Sequence, residues 1–126
     1  MNLVDETIAE FGATLGIDRL RLNDQGTLVL SIQSLGLLGF DRAGPYGESV
    51  LVSLTRPLPT AWDQNWAALL GATHYQARPP ASLQVGVISD QLVLMFLIEP
   101  GDFTQPRIHE AITALDRQHS SWEARR

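Results

Sequence analysis

Three histidines and a scatter of carboxylates are the residues of this chain with chemistry to offer. His109-Glu110 begins like the helical zinc-protease motif, in which two histidines one turn apart hold the metal and the glutamate acts on a water. That motif needs a histidine at position 113, and the residue there is Thr113. His119 lies about 15 Å further along a helix, too far to share one ion. His74 stands alone. The chain has no cysteine, which removes a thiolate nucleophile, a disulfide and a zinc–sulfur site together. There is no Gly-x-Ser-x-Gly elbow. Gly36 and Gly39 sit in an apolar run that does not open a helix, so they make no phosphate loop. Asp5 and Glu6 are adjacent and do not face each other on a helix; they suit the positive end of its dipole. A catalytic site needs nucleophile, base and oxyanion donor together. The residues therefore predict no enzyme, no metal site and no cofactor.

Length bounds the organisation to a single domain over 1–126, long enough for a real core. A hydrophobic content of 44% is that of an ordinary globular protein. The net charge of −5, with Arg125-Arg126 as the densest basic group, argues against a nucleic-acid partner. Met1 to Glu6 carries acids where a secretory leader carries bases. No apolar run approaches the ~20 residues of a membrane helix. The expectation is a cytoplasmic protein with no stable membrane insertion.

The organising stretch is Gln91 to Glu99, whose residues from Leu92 to Ile98 are all apolar. Ser89-Asp90 before it and Pro100-Gly101 after it are turn formers, so length and flanks predict a strand. Side chains alternate along a strand. Leu92, Leu94, Phe96 and Ile98 point one way; Val93, Met95 and Leu97 point the other. Both faces want cover, from this chain or from a second polypeptide.

Around that strand the spacing predicts a helix over 3–15, with Val4, Ile8, Phe11 and Leu15 on one face and Gly16 as its stop. Alternating segments follow at 19–22 and 27–33, joined through the turn at Asn23-Asp24-Gln25-Gly26. Further strands are predicted over 35–41 and 50–55. A second helix is predicted over 60–76, carrying Trp62, Trp66, Leu69 and Leu70, then a strand with Leu83, Val85 and Val87. A last helix runs from about Thr104 with Ile108, Ile112, Leu115, His119 and Trp122 as its stripe. The expected fold is α+β: a twisted, mainly antiparallel sheet with three helices, in the order α-β-β-β-β-α-β-β-α.

Several strings occur in an order that resembles a known family. They are Glu10 to Ile17 at the end of the first helix, Leu22-Asn23-Asp24-Gln25-Gly26-Thr27-Leu28 in the hairpin, Trp66-Ala67-Ala68-Leu69-Leu70, and Gln91-Leu92-Val93-Leu94. The family is that of the class I type III secretion chaperones, the Tir-chaperone or CesT-like group. Residues 91–96, 103–111 and 54–58 are most similar to its SycN-like branch. The resemblance implies a small, bacterial, cytoplasmic, dimeric protein without catalytic activity. Such a protein holds the N-terminal segment of a secreted protein in an extended, export-competent state. For the SycN-like branch it implies pairing with a second chaperone and a gatekeeper protein as cargo; homodimer and heterodimer both stay open.

On this reading Ile8, Phe11 and Leu15 flank a cargo groove together with Leu28, Leu30 and Ile32, and cargo adds along a strand edge. A Phe11→Asp chain would then lose cargo and keep its dimer. Trp62, Trp66, Leu70, Leu83, Val85 and Val87 are the candidates for a dimer interface, with a core role as the alternative. The rival function is a non-catalytic adaptor that binds a folded partner.

Overall fold

The structure is a computed structural model and describes residues 3–44, 47–57 and 83–123, apart from the side chain of Trp122. The first element is α1 (Leu3–Thr14). Three strands follow: β1 (Thr27–Ile32), β2 (Gly36–Ala43) and β3 (Ser49–Pro57). After residues 58–82 come β4 (Leu83–Ile88), β5 (Gln91–Ile98), a 3-10 turn and α2 (Gln105–Glu123). The strands form one antiparallel sheet in the order β1-β2-β3-β5-β4.

The expected α+β sheet is present, with two helices among the described residues. The third, expected over 60–76, lies outside the described residues, as do Trp62, Trp66 and Leu70. The strand expected over 19–22 does not form. Its alternation has another cause, described with the site below.

The sheet's register explains the sidedness of the apolar run. Leu54 sits opposite Leu38 on one side and Leu94 on the other, and Val52 opposite Phe40 and Phe96. These even-numbered side chains meet Ile8 and Phe11 of α1 and Ile108 and Leu115 of α2 in one core. Val93, Met95 and Leu97 occupy the opposite face and are half-buried. The two-faced character of β5 read from the sequence is thus real, and both described helices cover the same one of its faces.

Local chemistry sets the element ends. Thr104 caps α2: its Oγ1 accepts the Arg107 N–H at 3.3 Å, and Pro106 falls in the first turn, where no backbone donor is missed. At the end of α1, Ile17 N–H donates to Gly12 O at 2.9 Å and Gly16 N–H to Ala13 O at 3.1 Å, the paired bonds that close a helix through a left-handed residue. Between β1 and β2 the turn ends on Gly36 at φ 120°, where a Cβ would stand 2.5 Å from Thr55 O, so only glycine lets the hairpin lie against β3.

His119 belongs to this framework and not to a reactive site. It is buried on α2, and its Nε2–H donates to Leu54 O on β3 at 2.7 Å. Burial lowers its pKa below the usual histidine value, with Arg56 adding to the effect; the bond to Leu54 and the carboxylates of Glu123 and Asp116 oppose it. The neutral ring is therefore the native form. Its contribution to stability is present above the unfolded-state value of about 6.5 and is lost as pH falls through the lower folded-state value. Urea unfolding across pH 7 to 5 should show stability falling toward acid, by at most about 1.4 kcal/mol per pH unit from this one proton. A His119→Gln chain should show a flatter profile.

Candidate functional site

Among the described residues, an open groove of about 1590 Å³ lies beside the outer edge of β1. One wall is α1, through Asp5 and Ala9; the other is the β1 edge, through Leu28 and Val29. Its floor and rim come from the segment that leads from α1 to β1.

That segment holds the residues misread as a strand. Leu20 and Leu22 are buried, while Arg19 and Arg21 are exposed. The alternation is therefore one of inside and outside in an irregular segment packed under α1. Gly12 makes the packing possible, because a Cβ there would stand 2.4 Å from Leu20 Cβ. Asn23 then turns the chain into β1. Its Oδ1 accepts the N–H groups of Gln25 and Thr27, each at 2.9 Å, and its own N–H donates to Thr27 O at 2.9 Å.

Those bonds also show which way β1 faces. Arg42 N–H donates to Gly26 O at 2.9 Å, and Leu28, Leu30 and Ile32 continue the same register opposite Phe40, Leu38 and Gly36. In an antiparallel pair the residues that bond the neighbour alternate with residues that point away from it. Thr27, Val29 and Ser31 therefore direct N–H and C=O away from β2, and Asn23 already takes both groups of Thr27. Among the described residues, Val29 and Ser31 are left as the open edge. Val29 carries an apolar side chain 58% exposed.

The expected cargo residues divide. Leu28 lines the groove, and Leu30 and Ile32 are half-buried on the same face of the same strand. Leu15 is 43% exposed at the end of α1, outside the groove lining. Ile8 and Phe11 are buried core residues and do not line this groove, which corrects the expectation that they flank it. Phe11 packs edge-on against Phe40, ring centroids 5.6 Å apart. The α1 stripe faces the sheet, so the helix meets the groove through its other side, at Asp5 and Ala9. Arg19, Arg21 and Val29 were not singled out from the sequence as site residues; the alternation at 19–22 was the one visible sign of the two arginines, and that at 27–33 the one sign of Val29.

Of the expected interface residues, Leu83 is buried in the core, and Val85 and Val87 are half-buried against it. These three side chains face the helices, and β4 is the other outer strand of the sheet. His109 is exposed with its ring beside Phe11, while His74 lies outside the described residues. Among the described residues no group of three or more His, Asp or Glu side chains is placed to hold a metal ion. No helix among them is long and apolar enough to cross a membrane.

No protein-family model matches the sequence, and neither does any curated protein. Solved structures do match the fold. The Yersinia pestis type III secretion chaperone SycH, solved with a fragment of YscM2, is 14% identical with a TM-score of 0.71 over 94% of this chain and 98% of its own. The chaperone SchA, from the HopA1-SchA chaperone–effector complex, is 17% identical with a TM-score of 0.75, over 94% and 91%. YbjN from E. coli, which is not named as a chaperone, is 15% identical with a TM-score of 0.53, over 92% of each chain. At these identities the likeness is one of fold.

Proposed function

We propose that this chain is a type III secretion chaperone that holds an extended segment of a secreted protein along the open edge of β1. The observation that carries the reading is that edge itself. Val29 and Ser31 direct backbone groups away from β2, and Val29 lines an open groove, on a fold that SycH and SchA share. An unfolded segment adding there gains backbone hydrogen bonds from β1, and its alternate side chains meet Leu28, Leu30 and Ile32 on one face and Val29 on the other. Ordering a disordered segment costs free energy, so a long contact is needed to offset it. Both SycH and SchA were solved with a protein partner, which supports binding as the activity. In this reading the chain makes and breaks no covalent bond and acts in the bacterial cytoplasm.

The finer assignment follows the sequence resemblance. The cargo is a secreted effector or the gatekeeper of the export apparatus. The working form is a homodimer, or a heterodimer with a second chaperone, formed through the region of Trp62, Trp66 and Leu70 together with β4. An adaptor for folded partners is the second reading; YbjN shows that the fold also occurs in a protein not described as a chaperone.

The test is Ser31→Pro, assayed with candidate secreted proteins co-expressed alongside the chain. The N–H of Ser31 points away from β2, so proline removes an outward donor and spares the β1–β2 ladder, as proline does on edge strands. The variant should fold normally and bind cargo about tenfold or more weakly, as expected when a backbone bond is lost and the added strand is obstructed. Undiminished capture of an unstructured segment by a folded Ser31→Pro chain contradicts the edge assignment. Capture of folded domains alone supports the adaptor.

A further inference from the structure

We infer that the groove beside β1 selects extended segments bearing acidic side chains, and that Arg19 and Arg21 are the cations that meet them. The inference rests on the chaperone reading and concerns which segments are held.

The distribution of charge points to it. The chain carries nine basic residues, all arginine, against fourteen acidic ones. Three of the nine, Arg19, Arg21 and Arg42, line this one groove. An acidic segment is disfavoured by a surface of net charge −5, so a local concentration of cations decides where it lands.

The three arginines differ in what holds them. Arg42 lies across Gly26 and is tied down, its Nη1 donating to Gly47 O at 3.0 Å and its Nη2 3.4 Å from Asp5 Oδ1. It belongs to the wall. Arg19 and Arg21 are exposed and in no ion pair among the described residues, whereas Arg56 and Arg107 are both paired to carboxylates on α2. Asp24 is the carboxylate that shares the rim with them, and Asp5 is engaged on the wall.

Backbone geometry presents the pair. With Leu20 and Leu22 buried, the residues between and before them are turned outward over the groove. Arg19 takes φ 57°, a left-handed conformation that disfavours residues with a side chain. An arginine there keeps a long cation at a position glycine would occupy more easily. A strand added to β1 runs about 4.8 Å from it, inside the groove and within reach of arginine side chains on the rim.

The experiment selects binders from a display library of random peptides about 20 residues long, enough to cover an edge strand when extended. The chain and its Arg19→Gly/Arg21→Gln variant are compared. Glycine suits the left-handed position and Arg21 is exposed, so the variant should keep its fold, checked by its thermal transition. Peptides selected by the unaltered chain should be enriched in Asp and Glu. Their affinity should fall about three- to tenfold in the variant, as two exposed ion pairs would give, and less in strong salt. Binders without acidic enrichment, or acidic binders held equally well by the variant, overturn the acid preference and leave the chaperone reading standing. A library that yields no binder removes both. Binding of a dT oligonucleotide that is lost in the variant would assign the arginines to nucleic acid and overturn the inference.

Discussion

Phe11→Asp is expected to unfold the domain and not to silence a surface. The Phe11 side chain is 1% exposed, stands edge-on to Phe40 and joins α1 to the sheet. Truncating a buried phenylalanine typically costs about 3–5 kcal/mol. A carboxylate in its place adds the cost of burying an unpaired charge, or of protonating it to avoid that. A domain of this size has only about 5–15 kcal/mol of total stability. The expected result is loss of the cooperative unfolding transition by circular dichroism, with the protein in the insoluble fraction. A soluble, cooperatively folded Phe11→Asp chain would place Phe11 on the surface and contradict the packing described.

Arg56→Met is the second large effect, at about 2–3 kcal/mol, between the value of an exposed pair and that of a buried one. Arg56 leaves the edge of the helix-covered face of β3 and is 11% exposed. Its Nε donates to Leu35 O in the β1–β2 turn, while its Nη atoms reach Asp116, Ser120 and Glu123 on α2. One side chain thus fixes the hairpin, the sheet and the last helix to one another. Methionine keeps much of the stem's packing but leaves Asp116 and Glu123 without their cation, Glu123 at the negative end of α2. Both carboxylates keep contact with solvent, which holds the cost below that of a fully buried pair. Denaturant titration should show a lower midpoint with an unchanged slope. A midpoint within error of the unaltered chain would mean that apolar packing alone holds α2.

What the sequence made legible follows from how each feature is encoded. The stripe of α2 was readable because Ile108, Leu115 and His119 repeat at helical spacing behind a threonine cap. The interior position of β5, between β3 and β4, was readable because apolar residues point both ways between two turns, although the central strand is β3. The segment at 19–22 was misread because alternation records which side chains are buried and not whether the backbone is paired. Leu20 and Leu22 are buried against α1 through a close approach at Gly12, a contact between segments that local spacing does not reveal. Phe11 was placed beside cargo for a related reason: an amphipathic stripe shows that a face is covered and not by what. The groove draws on α1, the following segment, β1 and Arg42 of β2, so it exists only after folding. The strand edge beside it, the outward backbone of Val29 and Ser31, is set by register and has no side-chain signature.

The most direct test of the account is amide hydrogen exchange at Val29 and Ser31, with and without a bound secreted protein. The account predicts that both amides exchange readily in the free chain and become protected in the complex, while the bound segment has no fold of its own before binding. A complex that forms while these two amides exchange as before would contradict it.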